Sequence, residues 1–293
     1  MSLLPNLLLS QSAPRVRSST LRLLVIFSGL LLLIPLLGGL YLGLRTPQIE
    51  HETFESLSTI AQLNANQIEN WLDERKADLE VTTGRSDFRE RMLKLQQNGD
   101  PGDRKTLTDE LDAVRNAYHY TSVALFDTKG NTLINVGDAM PEADERKALL
   151  SRVTTSGGVE HSRLASISDG EPIMFFFAPL FQTESESAGD HTPIGFFVTC
   201  VSLKKLVFPY LERWPTRSPT GETLLVQRNE DDVVFLNTPR HSNAAPHPLR
   251  VPLSRTALPA VRAVLNQSAG VMSGRDYRDI PVLAAYRPIA ETS

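Results

Sequence analysis

Residues Leu23 to Leu44 read LLVIFSGLLLLIPLLGGLYLGL and carry no charge. A helix that crosses a bilayer needs about 20 apolar residues at 1.5 Å rise per residue, and this run meets that length. Pro35 lies inside it. A membrane-spanning helix accommodates proline where the freed carbonyl finds another partner. A cleaved secretory signal has a shorter apolar region, about 7–15 residues, ending near a small-x-small site. The run here is longer and LGLRTPQ is a poor cleavage site, so the segment reads as a retained anchor. Arg15, Arg17 and Arg22 precede it without an acid, whereas Arg45 is followed by Glu50, Glu52 and Glu55. That asymmetry places the N-terminus in the cytoplasm and residues from about 46 onward outside it. No second apolar run of spanning length follows.

The 293 residues suffice for about two ordinary domains. A net charge of −4 offers no basic excess for a nucleic acid partner. The single cysteine, Cys200, has no partner for an internal disulfide or a thiolate metal centre.

Beyond the apolar run, Thr46-Pro47 is a reasonable helix start. Phe54, Leu57, Ile60, Ala61, Ile68, Trp71, Leu72 and Leu79 recur at helical spacing. The pattern predicts an amphipathic helix of about 30 residues, roughly 45 Å long. A helix of that length either runs past two modules or pairs with a copy of itself, so a homodimer is expected. Asn64 falls on the apolar seam, as a locally satisfied amide or as a residue that fixes register in a helix pair. Helical patterns continue through FRERMLKL and PGDRKTL. From Ser122 the period becomes two: SVALFDTKGNTLINVG reads as strand, turn, strand. The helix EADERKALLSRV follows, then three strand candidates, GVEHSRLAS, PIMFFFAPLF and IGFFVTCVSL, with the polar loop QTESESAGDHTP before the last. LKKLVFPYLERW is a short helix disturbed by Pro209. ETLLVQR and DVVFLNT form another strand pair, a polar proline-rich segment leads to the helix TALPAVRAVLNQ, and GVMSGRDYRDIPVLAAYRPI closes the chain as two strands around a turn. Two blocks share one plan, that of two α+β, PAS-like antiparallel sheets in tandem, the second lacking its last strand.

The anchor, the helix ending in NANQIENWLDERKADLE, and the segments LVFPYLERWPTRSPTGETLLVQRNEDDVVFLN and GRDYRDIPVLAAYRPI resemble the double Cache sensor domains of bacterial histidine kinases and diguanylate cyclases. The resemblance covers residues 46–293. It implies a cytoplasmic tail (1–20), a transmembrane helix (21–45), a long helix (46–85), a membrane-distal module (86–207) that binds a small molecule, and an incomplete membrane-proximal module (208–293). It also implies a bacterial inner-membrane location and a cytoplasmic output domain or partner outside these residues. Amine-binding members carry an Arg-x-Trp-Tyr signature. The corresponding region here, GDAMPEADERKALLSRVTTSGG, has none, so an amino-acid ligand is not expected.

No GxSxG, HExxH or GxxxxGK[ST] motif occurs, and the chain is not expected to be an enzyme, to bind a metal or to need a cofactor. His241 and His247 flank SNAAP without a third ligand nearby, and Asp231, Asp232 and Glu222 read as solvated turn charges. The alternation of PIMFFFAPLF puts Phe175 and Phe177 on one sheet face and Phe176 on the other. Tyr118, Tyr120 and Arg163 are expected to line the same concavity as Phe175 and Phe177, making an aromatic pocket with one cation for a small organic acid or aromatic compound. His161 is a further pocket candidate. An anchored dimerising protein without a ligand is the alternative. FPYLERWPTRSPTGETLLVQR, with Trp214 between Pro209 and Pro215, reads as the junction of the two modules.

Overall fold

The computed structural model describes residues 18–163, 165–166, 171–182, 193–215, 218–242 and 248–289. The expected cytoplasmic tail to residue 17, most of the polar loop, and His247 lie outside them. The chain divides into two compact bodies, Met1–Thr53 and Phe54–Ser293.

The first body is the N-terminal part of helix α1 (Ser18–Gly84). Its apolar side chains from Leu21 to Leu44 are exposed along the whole segment. The helix does not restart at Thr46-Pro47 as the sequence suggests: Pro35 and Pro47 both lie inside it. Pro47 withdraws one donor from the ladder, and the Thr46 hydroxyl donates to the Leu42 carbonyl at 2.8 Å.

In the second body, α1 buries Ala65, Ile68, Trp71, Leu72 and Leu79, the stripe that three- and four-residue spacing predicts. Helix α2 (Ser86–Asn98) ends at Gly99 in the left-handed region (φ 60°). Helix α3 (Pro101–Ala117) starts with Pro101 behind Asp100, whose carboxylate accepts from the amides of Gly102 and Asp103. Strands β1 (Ser122–Phe126) and β2 (Thr132–Gly137), helix α4 (Ala143–Ser156), strands β3 (Glu160–His161), β4 (Ala165–Ser166), β5 (Pro172–Leu180) and β6 (Gly195–Ser202) complete the distal module. The antiparallel sheet runs β2-β1-β6-β5-β3, with β4 also on β5.

The period of two divides this sheet between two cores. Val123, Leu125, Met174, Phe176, Phe197 and Val201 face α1, α2 and α3. Ala124, Phe126, Phe175, Phe177, Phe196, Val198 and Cys200 face α4, through Leu149 and Val153. Cys200 is fully buried, and burial pushes its thiol up to about 12, opposed by the Ser122 hydroxyl. The native chain is therefore expected to resist alkylation at pH 8 and to be labelled stoichiometrically once urea unfolds it. Mass spectrometry of the intact chain checks this, and rapid labelling in native buffer would contradict it.

Two short helical turns, α5 (Leu203–Leu206) and α6 (Phe208–Leu211), lead out of the sheet on either side of Val207. The proximal module follows: β7 (Val226–Asn229), β8 (Asp232–Phe235), β9 (Arg250–Pro252), α7 (Pro259–Asn266), β10 (Gly270–Arg275) and β11 (Pro281–Tyr286). Here the strands form two separate sheets, β7-β8-β9 and β10-β11. Helix α7 packs on both, over a core of Val233, Phe235, Val251, Leu258 and Val261. The sequence reading missed β9, which lies in a polar, proline-rich stretch and buries only Val251. It also overextended β7. Glu222 to Leu225 is held by a side chain: Asn237 Oδ1 accepts from the Leu225 amide (2.7 Å) and its Nδ2 donates to the Thr223 carbonyl (2.8 Å).

Candidate functional site: the cleft between the modules

The five residues expected to share a concavity are not brought together. Tyr120 is buried in the core that faces α1, and burial raises its phenol well above the usual range. Tyr118 stacks on it at 5.6 Å but stays exposed. Phe175 and Phe177 lie on the opposite face of the sheet. There Phe177 stacks on Phe126 at 6.2 Å, and Arg146 covers Phe126 at 5.5 Å, so rings fill the space the expectation left for a ligand. Tyr120 precedes β1, directly after His119 in the left-handed region (φ 58°), and does not continue the strand's alternation: Ala124 and Phe126 share the α4 face with Phe177, whereas Tyr120 turns to the α1 face. Arg163 goes elsewhere, to the edge of a large cleft.

This cleft has a volume of about 1100 Å³ and lies between α1, the distal β3–β5 edge, the junction and the proximal module. At its distal end Trp71 and His161 line it, backed by the fully buried Phe176. Trp71 meets Phe176 edge-on at 6.0 Å, and the His161 ring lies 5.8 Å from Phe176. His161 is held by its neighbours: Nδ1 is 3.0 Å from the Ser162 carbonyl, and Arg152 donates to the His161 carbonyl. Arg152 is also 3.5 Å from Glu160, which neutralises it. Arg163 is exposed at the cleft and has no hydrogen bond or ion pair with any described residue.

The junction forms the middle of the cleft. Trp214 is half-buried and rests on Gly221, where a Cβ would come within 2.6 Å of its ring. Asn64, buried on α1, donates to the Thr223 hydroxyl at 3.0 Å. Its partner is thus within the chain, 159 residues away. The Thr223 carbonyl in turn accepts from Asn237, so one polar chain links α1, the junction and the segment just after β8.

Glu222 is not a solvated turn charge. It accepts from the Arg240 amide (2.9 Å) and from the Tyr277 hydroxyl (3.3 Å). Burial and the Glu222 charge push the Tyr277 phenol up to about 12. Asp276 organises the hairpin turn, accepting from the Arg278 and Ile280 amides and from the Arg278 guanidinium at 2.6 Å. Burial disfavours its charge, but these donors outweigh burial and hold the carboxyl below the usual range. An unfolded aspartate titrates near about 3.9. The folded value is lower, so the stabilisation is complete above the unfolded value and is lost as pH falls through the folded one. Asp276→Asn is therefore expected to flatten the stability loss between about pH 4 and pH 2, measured by urea unfolding at each pH. An unchanged acid limb would contradict this.

No protein-family model and no curated protein matches the chain. In structure it is similar to the ligand-binding domain of the Pseudomonas aeruginosa amino acid chemoreceptor PctB, determined with L-Gln. The identity is 15%, the match covers 82% of this chain and 86% of that one, and the TM-score is 0.50. The corresponding domain of PctC from the same organism, determined with GABA, matches at 20% identity over 55% of this chain, with a TM-score of 0.39. This chain spans 65% of that domain, just under two thirds. A domain of a sensory box/GGDEF family protein from Vibrio parahaemolyticus matches at 11% identity over 67% of this chain and 75% of that one, with a TM-score of 0.47. The antiparallel sheets packed on a long helix are thus a fold shared with that chemoreceptor ligand-binding domain, the kind of fold the sequence's resemblance to double Cache domains implies.

Proposed function

We propose that this chain is the small-molecule sensing region of a membrane-anchored bacterial receptor. In this reading the apolar segment of α1 is the anchor, both modules lie outside the cytoplasm, and the output domain lies outside these residues. The fold supports sensing without catalysis, and the exposed apolar segment supports the anchor. The observation that carries the ligand site is Arg163, a cation without a partner among the described residues, in the cleft lined by Trp71 and His161, which pack on the buried Phe176. That pairing suits a small organic anion with an apolar or aromatic body, held by one charge-assisted bond and by stacking. The L-Gln in the PctB domain makes an amino acid the first comparison ligand, although the Arg-x-Trp-Tyr signature is missing here.

Binding transmits a signal only if the ligand prefers one of two states. The chain Asn64–Thr223–Asn237 is a suitable relay, because it ties α1 to the proximal module beside the cleft. The test is a thermal-shift screen of the full chain in detergent against organic acids, amino acids, amines and nucleobases. An anionic hit is expected to raise Tm in proportion to RT ln(1 + [L]/Kd), and Arg163→Ala is expected to remove the shift. A panel without hits, or hits indifferent to Arg163, would favour an anchored protein without a ligand.

A further inference from the structure

The His161 ring is locked in place so that one of its nitrogens is left over. Its stretch of chain is fixed on β5 from both sides. The Ser162 amide donates to the Phe175 carbonyl (2.8 Å), the Ser162 hydroxyl accepts from the Phe175 amide (2.9 Å), and Arg152 holds the His161 carbonyl. The imidazole itself packs 5.8 Å from the buried Phe176 ring, with Nδ1 3.0 Å from the Ser162 carbonyl. A carbonyl only accepts, so Nδ1 carries the hydrogen, and in the neutral ring Nε2 is a bare lone pair. Nε2 has no partner among the described residues, yet it is not an enclosed orphan. His161 is half-buried in the cleft wall, so the open nitrogen faces the cleft.

Arg163 lines the same cleft two residues further on, and the two Cα atoms are no more than about 7 Å apart. One small molecule therefore reaches both side chains. Its anionic group satisfies the guanidinium, but Nε2 needs a donor. A plain carboxylate has none and would leave the nitrogen unpaired. The donor is then a hydroxyl or an ammonium, and the local charges decide between them. Among the carboxylates of the cleft wall, Glu160 pairs with Arg152 at 3.5 Å. Glu222, Glu230 and Asp276 belong to the proximal module, where Glu222 serves Arg240 and Tyr277 and Asp276 holds Arg278. An ammonium beside Arg163 would meet a like charge and no free carboxylate. A hydroxyl donates without that penalty. Trp71, Ile68 and Met174 line the cleft near these two residues and offer an apolar bed for the rest of the molecule.

We infer that the distal end of the cleft selects a hydroxycarboxylate with an apolar or aromatic body, its carboxylate on Arg163 and its hydroxyl donating to His161 Nε2. This rests on the reading of the cleft as the sensing site and narrows its ligand from organic anions at large to hydroxy acids.

The test titrates racemic phenyllactate, phenylpropionate and phenylalanine into the full chain in detergent at about pH 8, above the ordinary imidazole range. The three share one body and differ in carrying a hydroxyl, a hydrogen or an ammonium at the same carbon. Phenyllactate is expected to bind about ten-fold or more tightly than either of the others. His161→Asn keeps a side-chain N–H for the Ser162 carbonyl but has nothing in place of Nε2. It is expected to bring phenyllactate down to the level of phenylpropionate, while phenylpropionate stays within about two-fold of the parent. His161→Gln puts an amide oxygen near the position of Nε2 and is expected to restore part of the preference. Both variants lose the same ring contact with Phe176, so a merely structural role for His161 would move them together. Equal binding of the three, all lost in Arg163→Ala, would keep the cleft as the sensing site and overturn the selection of hydroxy acids. A preference for phenylalanine, a phenyllactate preference that survives in His161→Asn, or no binding of phenyllactate overturns it as well.

Discussion

Phe176→Ala is expected to destabilise the second body by about 3–5 kcal/mol, the largest effect of any single truncation considered. Phe176 is fully buried in the middle of β5, on the face that meets α1. Its ring is the common partner of Trp71 and His161, and each such aromatic contact adds about 0.5–1.5 kcal/mol beyond area burial. Removing it opens a void between the long helix and the sheet that close-packed neighbours fill only in part. The measurement is urea unfolding followed by tryptophan fluorescence, with Tyr210→Ala as the exposed control, expected to stay within about 0.5 kcal/mol. A loss below about 1 kcal/mol for Phe176→Ala would mean that α1 is not seated on this face.

Asn237→Ala is expected to cost about 1–3 kcal/mol, although it removes very little apolar surface. Asn237 is buried, and both ends of its amide serve the junction. Truncation leaves the Leu225 amide and the Thr223 carbonyl without these bonds. It also loosens Thr223, whose hydroxyl receives Asn64. Asn64→Ala and Asn237→Ala are therefore expected to be non-additive, with an interaction energy of at least about 0.5 kcal/mol in a double-mutant cycle. Strict additivity would remove the polar chain as a mechanical link between α1 and the proximal module.

The regular parts of this fold were legible because periodicity reports burial. The alternation in PIMFFFAPLF separates Phe175 and Phe177 from Phe176, and the structure places them on the faces it implies. The failures have physical causes. Asn64 showed only as a polar residue on an apolar seam, and its partner Thr223 is too far along the chain for periodicity to find. Glu222 to Leu225 has strand composition, but a buried asparagine takes the place of a ladder partner. Tyr118 and Tyr120 precede β1 and do not continue its alternation, so Tyr120 lies on the α1 face although Ala124 and Phe126 lie with Phe177 on the other. Arg163 shows in the sequence as a cation needing a partner, but its place at a junctional cleft depends on both modules at once. In FPYLERWPTRSPTGETLLVQR, expected as the junction, Trp214 rests on Gly221.

The central claim, that a small molecule enters on the α1 side of the distal sheet beside Arg163 and not between the sheet and α4, is tested by titrating the best anionic hit into three full-length proteins by calorimetry. Arg163→Ala is expected to lose at least ten-fold in affinity, about 1.4 kcal/mol, while Phe177→Leu, on the α4 face, stays within two-fold of the parent. The reverse pattern, with binding intact in Arg163→Ala and lost in Phe177→Leu, would contradict the assignment of the cleft as the sensing site.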